Sequence, residues 1–124
     1  MAADAGGDQG RMVLVCEAVQ ALSRRGIPAT VNAIAHEIGI DQSGASRLIK
    51  SATSAGNLAM AAAPADGRRR EASLTPAGRS MLDQAHRWQE DVFAQLTEGW
   101  SDTRRHDFQQ AMTDLMDRSY AIDA

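Results

Sequence analysis

The amino-acid sequence predicts a mainly α-helical domain in which a helix-turn-helix is followed by an antiparallel hairpin and then by two more helices. Three observations carry the prediction. Apolar residues recur at three- and four-residue spacing in the segments 11–25, 31–38 and 42–55. Gly39-Ile40-Asp41 fits the tight turn between the second and third of these segments. A tip rich in turn-forming and basic residues, from Pro64 to Arg69, separates two short stretches able to pair as strands.

Each element has its own local warrant. Residues Met1 to Gly10 are mostly Ala, Gly, Asp and Gln, with nothing beyond the initiator Met to bury, so a disordered tail is expected over 1–10. From Arg11 to Arg25, Met12, Val15, Cys16, Val19 and Leu22 form the apolar stripe of an amphipathic helix that Gly26 and Pro28 stop. Thr30 is a suitable N-cap for a short helix burying Val31, Ile34, Ala35 and Ile38. Asp41 caps the next helix, and Ile40 is expected to plug the angle between the two. That third helix, Gln42 to about Ala55, buries Ala45, Leu48, Ile49 and Ala52 and leaves Gln42, Ser43, Ser46, Arg47 and Lys50 outside.

Leu58 to Ala63 is Ala-rich, and propensity alone would make it helical. The turn residues on either side leave it too short for an independent helix, so it is read as a strand pairing with Arg70 to Leu74. Thr75-Pro76 then opens a helix, with a hydroxyl cap and proline at the first helical position. Met81, Ala85, Trp88, Val92 and Leu96 line one side of that helix to about Glu98, where Gly99 ends it. Ser101 caps a last helix carrying Phe108, Met112, Leu115 and Ser119 at heptad-like spacing.

At 124 residues the chain suits a single domain with a real core. Its net charge of −3 argues at first against a polyanionic partner, but the charge is polarised. From Asp41 to Ser80, six Arg or Lys face three Asp or Glu (+3); from Met81 to Ala124, four face nine (−5). A basic middle and an acidic end fit a protein that turns one face to DNA and uses the other for different contacts. No apolar run approaches the roughly 20 residues needed to span a bilayer, and the N-terminus lacks signal-peptide regions, so a cytoplasmic location without membrane contact is expected. The single cysteine, Cys16, agrees with a reducing compartment.

The hairpin and the helix start, read together as Asp66-Gly67-Arg68 followed by Leu74-Thr75-Pro76-Ala77-Gly78-Arg79, resemble the wing of the MarR (multiple antibiotic resistance regulator) family of bacterial transcription factors. The resemblance covers roughly Arg11 to Arg79. It implies a winged helix-turn-helix, a three-helix core plus a two-stranded wing over 11–79, followed by two C-terminal dimerisation helices over 80–124. It also implies a homodimer that represses promoters at palindromic sites and leaves DNA when a small, often phenolic, effector binds.

Residue by residue, Gln42, Ser43, Ser46 and Arg47 fall where the family's recognition helix meets the major groove, and Asp66 and Arg68 match its Asp-x-Arg wing motif. Arg79 matches the basic position after the glycine that opens the following helix. Chemistry agrees: Gln suits adenine and Arg suits guanine in the major groove, Lys50 adds a cation to the same helix, Arg68 suits a minor groove, and Arg69 and Arg79 suit phosphates. Asp66 is expected to orient Arg68 through a charge-assisted hydrogen bond. The chain departs from the family in three ways. The usual helix before Arg11 is replaced by the short polar tail, the glycine-leucine pair after the recognition helix reads Gly56-Asn57-Leu58, and Arg70 occupies a commonly apolar strand position.

The bland readings stand beside these. The outer face of the third helix could be plain solvated surface, and the basic tip an ordinary charged loop; a winged-helix module for protein interaction is the alternative function. Cys16 lies on an apolar stripe, where a thiol is a small hydrophobe rather than a redox sensor. The pair His86 and Glu90 has helical spacing, yet acidic residues are common enough for such pairs to arise by chance, so no metal or other cofactor is expected. The C-terminal aromatics are read as core or interface before effector pocket. No nucleophile elbow, phosphate loop, zinc-protease helix or dinucleotide fingerprint is present, and the chain is not expected to be an enzyme.

Overall fold

The computed structural model describes residues 2–122, with side chains from residue 7 onward. Five helices and one hairpin follow in the order α1 (Ala2–Arg24), α2 (Val31–Ile38), α3 (Gln42–Ser54), β1 (Leu58–Ala62), β2 (Arg70–Leu74), α4 (Pro76–Leu96) and α5 (Asp102–Ile122). The chain divides into two compact units, one up to Arg87 and one from Trp88 on. The first turns of α4 belong to the first unit, where Gly78 and Leu82 are buried.

In the first unit α1, α2 and α3 pack on one another around Val15, Cys16, Val19, Leu22, Ile34 and Ile49, with Leu58 of β1 and Leu82 of α4 closing the core. Each of these larger aliphatic side chains contributes about 1.5–3 kcal/mol by leaving water. The hairpin is antiparallel, with Leu58 opposite Leu74 and Ala62 opposite Arg70. Its inner edge is tied down by the segment before α2: the Ala72 N–H donates to the Ala29 carbonyl at 2.9 Å.

The caps fall where the sequence puts them. Thr30 Oγ1 accepts from the Ala33 N–H at 3.1 Å, Asp41 Oδ1 from Gly44 at 2.7 Å, and Thr75 Oγ1 from Gly78 at 3.0 Å. Gly39, with φ of 84°, takes the left-handed conformation that turns α2 into α3. A bidentate ion pair from Arg25 to Glu37, with one contact at 2.7 Å, clasps the end of α1 to α2.

Two expectations change. The tail expected to be disordered over 1–10 is helical from Ala2, continuing α1 without a break; residue 1 lies outside the described residues. The physical reason is propagation: once Met12 to Leu22 are packed as a helix, each residue added in front needs no new nucleus, and Ala and Gln offset the glycines. Ile40, expected as a plug, is 38% exposed at the turn.

In the second unit Phe93 and Phe108 stack at 5.9 Å between ring centroids, Trp100 meets Phe108 edge-on at 6.0 Å, and Arg104 lies 4.0 Å over the Trp100 ring. Arg105 donates to both the hydroxyl and the carbonyl of buried Thr97, at 2.9 and 3.0 Å. These contacts close the α4–α5 corner. Beyond it, α5 buries none of its described residues. No helix among the described residues is long and apolar enough to cross a membrane.

Candidate nucleic-acid interface

The arrangement of α3 follows from its own spacing. Ala45, Ile49 and Ala52 face the core, so Ser43, Ser46, Arg47 and Lys50, at i, i+3, i+4 and i+7, form the opposite, exposed stripe. Gln42 is exposed at the first position of the helix. Gly44 sits between them for a steric reason: a Cβ there would stand 2.8 Å from Asp41 Oδ1, the atom that caps the helix. The small residue preserves the cap and keeps the helix start thin.

The wing tip is built on hydrogen bonds rather than burial. Ala63 N–H donates to the Arg69 carbonyl at 2.8 Å, Arg69 N–H to the Asp66 carbonyl at 3.1 Å, and every residue from Pro64 to Arg70 is exposed. Asp66 Oδ1 accepts from the backbone N–H of Arg68 at 3.0 Å. The carboxylate shapes the turn that presents Arg68, and the bond runs to the Arg68 backbone N–H. The Arg68 guanidinium has no ion-pair partner among the described residues, whereas Arg69 lies 3.6 Å from Glu71. Arg70 turns back along the hairpin and donates to the Met60 carbonyl at 3.3 Å, which explains how a cation occupies an otherwise apolar strand position.

Arg79 is exposed on the first turn of α4, where Thr75 fixes the chain: its hydroxyl donates to the Gly56 carbonyl at 2.6 Å and its N–H to the Asn57 carbonyl at 3.1 Å. The structure therefore gathers the expected residues into three groups on one compact unit: the α3 stripe, the wing tip, and Arg79 beside the wing root.

One cation escaped the sequence reading. Arg11 of α1 lines a shallow cleft of about 530 Å³ together with Asp41, Gly44, Arg47 and Ser51 of the α3 end. In the sequence it marks only a helix start; its position beside α3 depends on the α1–α3 packing. Of the residues weighed for other chemistry, Cys16 is fully buried, and burial first, then the neighbouring Glu17 charge, pushes its thiol up to about 11. His86 bonds through Nε2 to Glu17 of α1, so its partner is tertiary rather than the helical neighbour Glu90.

These features define a winged helix-turn-helix with a C-terminal helix pair. No family model matches the chain, and no curated protein matches it. Solved structures do. One, reporting regulation of DNA binding of Bordetella bronchiseptica BpsR by 6-hydroxynicotinic acid, has 20% identity and a TM-score of 0.58, over 86% of this chain and 74% of that one. An S. aureus MepR–DNA complex has 15% identity and a TM-score of 0.65, over 87% and 78%. The heme sensor PefR from Streptococcus agalactiae, in complex with heme, has 19% identity and a TM-score of 0.58, over 88% and 71%. The chain has the fold of these MarR-type winged-helix regulators.

Proposed function

We propose that the protein is a cytoplasmic, non-enzymatic transcriptional regulator that binds duplex DNA sequence-specifically as a homodimer, represses at a palindromic operator, and is released by a small ligand. The observation that carries this is the α3 stripe of Ser43, Ser46, Arg47 and Lys50, exposed beside a wing whose tip presents Arg68 with no ion-pair partner among the described residues. Side chains at the start of such a helix reach base edges in the major groove. A guanidinium at a wing tip suits the negative potential of a narrow minor groove.

The likeness to MepR, solved with DNA, supports the DNA reading; the likeness to BpsR, whose DNA binding is regulated by 6-hydroxynicotinic acid, and to PefR, solved with heme, supports an effector. The homodimer is supported by the second unit, where Trp88, Leu96, Met112, Leu115 and Met116 are each 45–76% exposed. A second copy of the α4–α5 pair would take that apolar surface out of water.

The test is equilibrium binding to duplexes selected from random DNA, as a function of salt. A regulator of this kind recovers a palindrome with half-sites about one helical turn apart and loses affinity steeply as salt rises. Failure to bind any duplex at low salt would remove the reading.

A further inference from the structure

On its α3 side, the shallow cleft between α1 and α3 is lined by Gly44, Arg47, Leu48 and Ser51. These positions, at i, i+3, i+4 and i+7, are the flank of α3 that adjoins the exposed stripe of Ser43, Ser46, Arg47 and Lys50, and Arg47 belongs to both. On the α1 side the cleft holds Arg11, whose side chain is 67% exposed. Arg11 and Arg47 stand against one lining acid, Asp41, and that carboxylate already accepts from the Gly44 N–H at 2.7 Å. The cleft is therefore cationic.

Arg11 is paired within α1 to Asp8, three residues earlier, at 3.4 Å, with both side chains open to water. An exposed pair of this kind is weak, and a guanidinium binds a phosphate in the stronger, two-bonded fashion. Geometry supplies the phosphate. An α-helix with its side chains is about 10–12 Å across and the major groove about 12 Å wide, so a helix lying in the groove has a sugar-phosphate backbone against each flank. When the α3 stripe meets base edges, the flank beside it meets a backbone, and the cation that α1 brings to that flank is Arg11.

We propose that the α1–α3 cleft seats one phosphate of the duplex backbone in each half-site, with the Arg11 guanidinium as its cationic partner and Asp8 as the intramolecular anion that the phosphate displaces. The proposal rests on the reading of α3 as the helix that enters the major groove. It adds a contact from α1, ahead of the helix-turn-helix, and an acid that sets the strength of that contact.

The test follows binding of the full chain by anisotropy, across a range of salt, to the selected palindromic duplex and to an unrelated duplex of equal length. Arg11→Ala should weaken both by a similar factor, roughly tenfold, because a phosphate contact carries no sequence information. The slope of log affinity against log salt should become shallower by about one for each protomer bound. The melting temperature should hold, since Arg11 is exposed and Ala is the better helix former. Asp8→Asn should strengthen binding by up to about fivefold, and by less when Arg11 is already Ala.

A second arm uses selected duplexes that carry a single neutral methylphosphonate at successive positions. At one position in each half-site, neutralisation should weaken the wild type and leave Arg11→Ala unaffected. An Arg11→Ala protein that binds with the affinity and slope of the wild type, or that is weakened at every position where the wild type is, overturns the seat and leaves the DNA reading standing. A gain from Asp8→Asn that is the same with and without Arg11 overturns the role of Asp8 as competitor. Wild-type protein that binds no duplex at low salt removes the DNA reading itself, and the seat with it.

Discussion

Gly78 lies against Asn57 so closely that a Cβ on Gly78 would stand 2.2 Å from the Asn57 carbonyl oxygen. The first turn of α4 crosses the α3–β1 turn at that point, and only a residue without a side chain permits the crossing. The same junction is held by Thr75, which bonds Gly56, Asn57 and the Gly78 N–H. Helix α3, the hairpin and the helix that follows it therefore share one joint.

Gly78→Ala should destabilise the fold by roughly 2–4 kcal/mol, because backbone rather than a flexible side chain must yield. Gly44→Ala should cost less, about 1 kcal/mol, since the clash there is with the movable Asp41 carboxylate and what is lost is a cap. Urea unfolding of the two variants checks the order; equal costs would mean that the α4 crossing is looser than described.

Arg68→Ala should weaken duplex binding by roughly 1–3 kcal/mol. Glu71→Gln should have the opposite sign and a smaller size, because it frees Arg69 from an exposed pairing and removes a negative charge near the wing. Anisotropy titrations of one operator duplex at fixed salt measure both.

Leu115, 62% exposed on α5, is the cleanest probe of the dimer. Leu115→Asp should leave each chain folded, shift sedimentation towards monomer, and weaken binding to a two-half-site duplex far more than to a single half-site. A variant that sediments as the wild type does would exclude this face from the interface.

Cys16 should resist alkylation in the native protein at pH 8 and react on unfolding. Its thiol is raised from 9.0 to about 11 in the fold, so the folded state holds the proton more tightly than the unfolded one. The sign follows: this contribution is complete below pH 9 and is lost as pH rises from 9 to 11, amounting to at most about 2–3 kcal/mol. Cys16→Ala should flatten that alkaline limb of the stability curve.

Much of the fold could be read before the structure, because its signals are local. Thr30, Asp41 and Thr75 cap their helices through bonds three residues away. The exposed stripe of α3 is fixed by the same periodicity that fixes its buried one. What escaped depends on tertiary neighbours or cooperativity. Arg11 reaches the start of α3 only through helix packing, and His86 finds Glu17 across 69 residues of sequence. Helix over 2–10 follows from propagation out of a packed segment, which composition does not record. The Asp66–Arg68 pairing is local as well: a short side chain two residues before Arg68 reaches its backbone N–H.

The most direct measurement is the salt dependence of binding to a selected palindromic duplex, for the wild type and for the double variant Arg69→Ala, Arg79→Ala, which removes the two cations assigned to phosphates. Cations on α3 and the wing meeting DNA predict a steep negative slope of log affinity against log salt in the wild type. They predict weaker binding and a slope shallower by about one for each phosphate contact removed in the variant. Equal affinity and equal slope in the two proteins would contradict the assignment of this face to DNA.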